Sequence, residues 1–252
     1  MSASELALSF GRTARDYERG RLEWPAAAVE QAARELGLGP GAVVLDLAAG
    51  TGKLTRVLAP RFRRVLAVEP DEAMRGVLEE IVPKAEARAG TAEAIPVEDA
   101  SVDAVFCSEA FHWFDGPRAL AEIARVLRPG GGLVVLFSEV AGAMQPAEGE
   151  AVLRRVEALR IRRKPPEQRA DTGLWRDAFA TSPFEELRRF EVPLERVIAR
   201  ENLLAAFASH SWIASLPDGE RGALLAELGA SLPEGDYRTP MRVAVWWTRL
   251  AV

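Results

Sequence analysis

The stretch VVLDLAAGTGKLT, residues 43–55, constrains the fold of this 252-residue chain more than any other part of the sequence. Its apolar start predicts a buried strand that brings the acid Asp46 to its end. Gly50 and Gly52 then predict a tight turn into a helix, because glycine tolerates positive φ and leaves the backbone open to a ligand. The stretch therefore predicts a strand–turn–helix unit that binds a nucleotide-like cofactor.

The position of the acid separates two kinds of cofactor. In the dinucleotide fingerprint G-x-G-x-x-G the glycines hold a pyrophosphate, which a negative group just before them would repel. Here Asp46 precedes the glycines, and Thr55 stands where the third glycine would be, counting from Gly50. This pattern favours a cofactor with no phosphate and a cationic end, such as S-adenosylmethionine. A nicotinamide-dependent oxidoreductase and a turn that binds nothing stay as alternatives.

The segment LDLAAGTG resembles motif I of the class I S-adenosylmethionine-dependent methyltransferases, usually D/E-x-G-x-G-x-G, with Ala48 in place of the first glycine. Residues 43–139 are similar to this family in order and spacing, particularly to its type 11 and trans-aconitate methyltransferase-like members. The resemblance implies an α/β fold with a Rossmann-like, doubly wound sheet of seven strands. It implies the order 3-2-1-4-5-7-6, with strand 7 antiparallel and a helical lid after strand 5.

A second acid supports the same cofactor. The strand predicted over residues 63–70 ends in Glu69, which lies 23 residues after Asp46, as expected for one βαβ step. We expect Glu69 to accept hydrogen bonds from the ribose hydroxyls and Asp46 to bind the amino-acid end. With these two acids, the cofactor-binding residues that we expect are Tyr17, Arg21, Ala48, Gly50, Gly52, Pro70, Met74, Thr91, Ala92, Glu93, Ser108 and Glu109.

The resemblance implies roles for some of these residues. In the lead-in FGRTARDYERGRLEWP, Tyr17 and Arg21 would lie near the methionine carboxylate, for which a phenol and a guanidinium are suitable donors. Met74 would pack on the adenine, and residues 91–93 would contact the adenine edge. The structural alternatives are a surface helix for the lead-in and core packing for Met74.

The strand VDAVFCS leads into a polar and aromatic segment, residues 108–114, at the edge where open α/β sheets bind ligands. His112-Trp113-Phe114 resembles the H-W-F of trans-aconitate-type methyltransferases. Our hypothesis is that His112 is the catalytic residue, facing a small-molecule methyl acceptor as a general base or an orienting donor. The alternative is a histidine that is hydrogen-bonded to the backbone beneath the lid.

The resemblance is weaker beyond Glu139. Residues 154–169 hold seven basic residues against two acids, so they could attract an anionic acceptor or form a solvated lid helix. Trp175 and Phe179 are candidates for lining the acceptor pocket, and His210 and Trp212 could reach its mouth. Helices are predicted over residues 201–216 and 219–232. Pro193 favours an edge position for the sixth strand, because proline cannot donate to a ladder.

Composition limits the partners. The net charge of −5 gives no support to nucleic acid or an anionic membrane. The single cysteine excludes an internal disulfide, and no Cys/His cluster offers a zinc site. We expect a cytoplasmic protein and one methyltransferase domain over 1–252, namely a cofactor-covering segment (1–24), a cofactor-binding core (25–139), a lid insertion (140–182) and C-terminal strands and helices (183–252). A non-catalytic protein that binds S-adenosylmethionine is a further alternative.

Overall fold

Seven strands form one sheet, in a computed structural model that describes residues 13–251. The strands are β1 (Val43–Leu47), β2 (Arg64–Val68), β3 (Glu86–Arg88), β4 (Val102–Ser108), β5 (Leu127–Val140), β6 (Arg188–Ala199) and β7 (Asp236–Arg249). Their order is β3-β2-β1-β4-β5-β7-β6, with β7 antiparallel to both of its neighbours and the other pairs parallel. The predicted fold class, strand order and edge position of Pro193 in β6 are confirmed.

Nine helices lie in the described part of the chain. They are α1 (Ala14–Gly20), α2 (Ala26–Glu35), α3 (Thr55–Leu58), α4 (Glu72–Ile81), α5 (Gly116–Val126), α6 (Ala147–Arg163), α7 (Arg200–Ala208), α8 (Ser211–Ala214) and α9 (Asp218–Ala230). Short 3-10 segments occur at Phe111–Trp113, Pro166–Gln168, Ala170–Thr172 and Leu174–Thr181. Residues 1–12 of the predicted covering segment lie outside the described residues.

Strand β1 is buried on both faces, as a central parallel strand must be. Val43, Leu45 and Leu47 belong to one apolar cluster, which includes Leu120 and Ile123 of α5. Val44 belongs to a second cluster on the opposite face, together with Val29 and Ala32 of α2. Alternate residues of one strand therefore attach helices to both faces of the sheet, and the strand end is held rigidly between them.

The acids of interest lie at the carboxyl ends of neighbouring strands. Asp46 is in register with Ala67 on β2 and with Phe106 on β4. Glu69 follows the last residue of β2, and Glu109 follows the last residue of β4. The register thus gathers three carboxylates at one edge of the sheet, where parallel α/β sheets bind ligands.

A third apolar cluster joins the segment after β5 to the C-terminal helices. It includes Val152 and Val156 of α6, Phe207 of α7 and Ile213 of α8. Apolar burial of this kind stabilises the association of separate segments. The insertion after β5 is therefore packed against the C-terminal part of the chain, above the carboxyl edge of the sheet.

Two predicted boundaries are wrong. The helix predicted over 201–216 is divided at Ser209 and His210, because the Ser209 hydroxyl bonds to the Ala206 carbonyl and His210 has an extended backbone. A serine side chain competes for backbone groups in this way and disfavours helix continuation. The proline and glycines of RPGGG, residues 128–132, predict a turn before the fifth strand, but β5 begins at Leu127 and includes them.

Candidate active site

The glycine turn joins β1 to α3 through three residues with left-handed backbone angles. Ala48 has φ 57°, Gly50 has φ 58° and Gly52 has φ 86°. A Cβ at Gly52 would also lie 3.0 Å from Cγ of Leu78 on α4. The turn therefore needs glycine at residue 52 for both conformation and space, whereas Ala48 adopts a conformation that disfavours an L side chain.

Asp46 is fully buried at the start of this turn. One carboxylate oxygen, Oδ2, accepts a hydrogen bond of 2.6 Å from the Thr55 hydroxyl, and the other, Oδ1, is buried without a hydrogen-bond partner in the part of the chain that is described. Burial raises the pKa of Asp46 to about 7, the neighbouring Glu69 adds to the rise, and the Thr55 hydrogen bonds oppose it. An ionised Asp46 would be stabilised by a cationic donor.

Glu69 ties the second strand to the glycine turn. Its two oxygens accept backbone N–H groups, Oε2 from Gly50 at 2.9 Å and Oε1 from Asp71 at 3.0 Å. Burial raises the pKa of Glu69, while these two hydrogen bonds lower it. Because each carboxylate oxygen has two lone pairs, both oxygens can accept a second donor.

Helix α1 covers the glycine turn. A Cβ at Gly50 would lie 3.7 Å from the Met74 Cε atom and 4.0 Å from the Tyr17 Cε1 atom. Burial raises the pKa of Tyr17 to about 12, with Arg21 opposing the shift and the carboxylates of Glu109 and Glu69 adding to it. The structure thus brings the lead-in tyrosine onto the predicted cofactor turn, beside both strand-end acids.

Ion pairs and close packing hold α1 in this position. Glu18 accepts hydrogen bonds from the Thr51 hydroxyl at 2.6 Å and from Arg56 at 2.5 Å. On the other side of the helix, Gly20 packs so closely on Ala206 that a Cβ would meet its backbone nitrogen. Helix α1 therefore connects the glycine turn to α7.

The remaining predicted cofactor residues have different environments. Arg21 stacks 5.2 Å from the Tyr17 ring and donates to the Ser209 hydroxyl at 2.9 Å. Pro70 and Thr91 are exposed, Ala92 is packed in the core, and Ser108 is half-buried at the end of β4. Glu93 accepts a hydrogen bond of 3.0 Å from the Asp115 backbone N–H, so one of its oxygens stabilises the turn before α5.

Glu109 has a strained backbone at the edge of the sheet. Its φ is 54°, and its side chain accepts the Ser138 N–H at 2.7 Å and the Ser138 hydroxyl. Burial raises the pKa of Glu109, and the Ser138 hydrogen bonds and the cations Arg21 and Lys164 oppose the rise. Strain of this kind in a non-glycine residue is typical of functional sites.

A cavity of about 990 Å³ opens between the carboxyl edge of the sheet, α6 and α7. The predicted site residues that line it are Tyr17, Arg21, Glu109 and His112, and the predicted pocket residues that line it are Trp175, His210 and Trp212. Asp46 and Glu69 do not line this cavity, and Tyr17 lies between it and the glycine turn. Phe179 packs behind Trp175, with ring centroids 6.0 Å apart, and does not line the cavity either.

His112 lies in the 3-10 turn after β4. Its ring is 4.9 Å from Trp113 and 5.8 Å from Phe137, and its buried Nδ1 atom has no hydrogen-bond partner among residues 13–251. The pKa of His112 is lowered to about 3, mainly by burial and in part by the cations Lys164 and Arg160. The imidazole is therefore neutral at physiological pH and can make a hydrogen bond to a ligand.

Sequence reasoning missed several cavity residues. Lys164 was one of seven basic residues with nothing to separate it from its neighbours, and Arg196 and Trp246 lie on strands far along the chain. The available signal was the return of β7 beside β5, which places residues 241–246 next to residues 135–140. That pairing brings Trp246 to the cavity.

Comparisons with known proteins agree with this geometry. A family model described as "Methyltransferase domain" matches residues 45–135. An uncharacterized methyltransferase of Mycobacterium tuberculosis is 38% identical over 221 residues, which cover 86% of this chain and 82% of that protein. The chain belongs to the class I S-adenosylmethionine-dependent methyltransferases. Its methyl donor is S-adenosylmethionine.

Other relatives of this methyltransferase extend the comparison. An uncharacterized methyltransferase-like protein of Schizosaccharomyces pombe is 33% identical, with 84% of this chain and 81% of that protein covered. A malonyl-[acyl-carrier protein] O-methyltransferase of Serratia marcescens is 36% identical over 58% of this chain and 56% of its own length. A solved structure from Anaeromyxobacter dehalogenans, provisionally assigned as a type II methyltransferase, has a TM-score of 0.70 and 27% identity, covering 92% of this chain and 98% of that one.

Residues 13–251 contain neither a membrane-spanning helix nor a cluster of metal-binding side chains. No helix of the methyltransferase in this range is long and apolar enough to cross a bilayer. No group of three or more His, Cys, Asp or Glu side chains in this range could hold a metal ion.

Proposed function

We propose that this methyltransferase transfers the methyl group of S-adenosylmethionine to a small molecule bound in the 990 Å³ cavity. The observation that carries the proposal is the position of Tyr17, which lines the cavity and whose Cε1 atom lies 4.0 Å from where a Cβ at Gly50 of the cofactor turn would be. A methyl donor at the turn and an acceptor in the cavity would therefore be neighbours, with Tyr17 of α1 beside both.

The donor set at the turn fits S-adenosylmethionine. The buried Oδ1 atom of Asp46 is an acceptor that lacks a donor in the described chain, as an ammonium group would require. The oxygens of Glu69 accept one backbone N–H each and keep capacity for two ribose hydroxyls. We assign Asp46 to the amino-acid end of the donor and Glu69 to the ribose.

When bound, S-adenosylmethionine supplies a methyl group on a sulfonium, which is an excellent leaving group for in-line displacement. The protein then has to hold the acceptor atom at near-attack distance and exclude water. Aromatic side chains supply the walls for this, with the Trp175 ring 5.3 Å from Phe137 and 5.8 Å from Trp246. No acid–base triad or metal is required of the protein for this step.

His112 is the residue that we place next to the acceptor. A pKa near 3 makes the imidazole a weak base, so its role is a hydrogen bond that orients a hydroxyl, amine or carboxylate. The name of the Serratia marcescens relative, an O-methyltransferase, supports an oxygen as the methylated atom.

A screen of small carboxylic acids, phenols and amines with labelled methyl donor tests this function, with S-adenosylhomocysteine as the second readout. We expect stoichiometric label on one acceptor class and none with Asp46→Ala. Binding of S-adenosylhomocysteine without transfer to any acceptor class would instead support the non-catalytic alternative.

A further inference from the structure

Cationic side chains outnumber acidic ones on the cavity wall. Of the described residues, eight lysines and arginines and five carboxylates line it. Four of the arginines are paired with carboxylates: Arg154 with Glu150, Arg160 with Glu157 and Asp171, and Arg189 and Arg242 with Glu139. The wall therefore carries an excess of positive charge that its own acids do not neutralise.

The other four cations have no carboxylate partner within residues 13–251. Arg21 donates to the Ser209 carbonyl at 3.1 Å, and Arg196 donates to the Gly20 carbonyl. Arg176 and Lys164 each lie over a tryptophan ring, 4.9 Å from the centroid of Trp246 and 4.0 Å from that of Trp113. Arg176 is exposed, whereas the Lys164 ammonium is held in a buried position and has no hydrogen bond in the described chain.

Lys164 is also buried. It is only 8% exposed, at the end of α6, and it lines the cavity together with His112 and Trp113. The pKa of Lys164 is lowered to about 8, mainly by burial and then by Arg160 and Arg21, with Asp171 and Glu109 partly opposing the shift. Burying an ammonium without a counter-ion is unfavourable, and one cation–π contact compensates only part of that cost.

Part of the cavity wall is aromatic. Trp113, Phe137, Trp175 and Trp246 all line the cavity, with Phe137 on β5 and Trp246 on the neighbouring β7. A ligand that suits this surface carries one anionic group and a flat apolar body. Such a ligand would neutralise Lys164 and bury its body against the rings.

We propose that Lys164 binds the anionic group of the methyl acceptor, and that the acceptor is an aromatic or otherwise apolar acid whose body packs on the tryptophan wall. This inference rests on the proposed function for the identity of the ligand as acceptor. The anion is the anchor of the acceptor. During transfer the bond from sulfur to the methyl carbon breaks, a bond from the acceptor atom to that carbon forms, and the acceptor's proton, where it has one, goes to solvent.

Two fluorescent probes of nearly identical shape test the site on the full chain in the presence of S-adenosylhomocysteine. One is 8-anilinonaphthalene-1-sulfonate, and the other is N-phenyl-1-naphthylamine, which lacks the sulfonate. We expect the wild-type protein to bind the sulfonate at one site and about tenfold or more tightly than the neutral probe. Equal affinity for the two probes would overturn the proposal without any variant.

Variants then locate the charge. Lys164→Met should weaken sulfonate binding about tenfold or more and change binding of the neutral probe by about twofold or less. Lys164→Arg should retain binding of the sulfonate probe. Arg163 is the exposed neighbour of Lys164, and Arg163→Met should not change the binding of either probe. Equal loss of both probes in a folded Lys164→Met protein would show that Lys164 only supports the wall, and would contradict the proposal.

The same samples separate this inference from the proposed function. Melting with and without S-adenosylhomocysteine reports donor binding independently of either probe. If the sulfonate result holds but S-adenosylhomocysteine gives no thermal shift, the anion site stands while its role as a methyl-acceptor site is overturned. If the shift is present and both probes bind equally, donor binding stands and Lys164 is not an anion site.

Discussion

The Thr55 hydroxyl donates a hydrogen bond of 2.6 Å to Asp46, and the second oxygen of that fully buried carboxylate has no partner in the described chain. Thr55 bonds to one of the two oxygens of this buried carboxylate and leaves the other without a donor, so its charged form is unfavourable without a ligand. The pairing of α3 with the end of β1 therefore leaves a negative site that a cationic ligand would complete.

The first prediction concerns pH and stability. Because the folded pKa of Asp46 is about 7 and its ordinary value is 3.8, the folded state holds a proton between these values that the unfolded state has lost. Stability of the ligand-free protein should therefore fall as pH rises from about 4 to 7, by roughly 4 kcal/mol from this group. In urea unfolding, the free energy of unfolding of Asp46→Asn should decline less over this pH range than that of the wild type. Glu79 is exposed, and Glu79→Gln should show the same decline as the wild type.

Much of the fold was predictable because its signals are local. Buried strands, the glycine turn and the spacing of Asp46 and Glu69 depend on residues within one βαβ step, and the structure agrees with each. The cavity was not predictable in the same way, since Lys164 and Trp246 come from segments that meet only after the sheet has formed. The break at Ser209 depends on a side-chain hydrogen bond that helical periodicity does not reveal.

The second prediction concerns Ala48, which has φ 57° where the family motif has glycine. A left-handed conformation costs an alanine roughly 1–2 kcal/mol, and glycine removes that cost. Glycine also raises the conformational entropy of the unfolded chain, which offsets part of the stabilisation. Ala48→Gly should therefore leave the melting temperature unchanged or raise it. The adjacent and buried Ala49→Gly is the matched control and should lower it; equal losses in both variants would show that Ala48 is not strained.

The third prediction separates the roles of His112. Since His112 lines the cavity away from the glycine turn and its proposed role is to orient the acceptor, His112→Ala should reduce turnover by about 100-fold, the scale of loss for a misplaced acceptor. Binding of S-adenosylhomocysteine should stay within about twofold. Parallel loss of turnover, donor affinity and melting temperature would indicate a packing role for the imidazole.

The fourth prediction is a pH profile that distinguishes Lys164 from His112. Burial, with help from Arg160 and Arg21 against Asp171 and Glu109, sets the pKa of Lys164 at about 8, so its charge is lost as pH rises through that value. Binding of the sulfonate probe should therefore weaken above pH 8. Lys164→Arg should abolish this weakening, because arginine stays charged at that pH. No limb from His112 is expected between pH 5 and 8, because its pKa is about 3.

The most direct test of the account is calorimetric binding of S-adenosylhomocysteine to the wild type, to Glu69→Ala and to the exposed control Glu79→Ala. Glu69 holds the glycine turn through Gly50 and is assigned to the ribose of the donor. We predict that Glu69→Ala weakens binding by about 1–3 kcal/mol, the range for hydrogen bonds to a charged group, and that Glu79→Ala does not. Equal affinity of all three proteins would contradict the placement of the methyl donor at this turn.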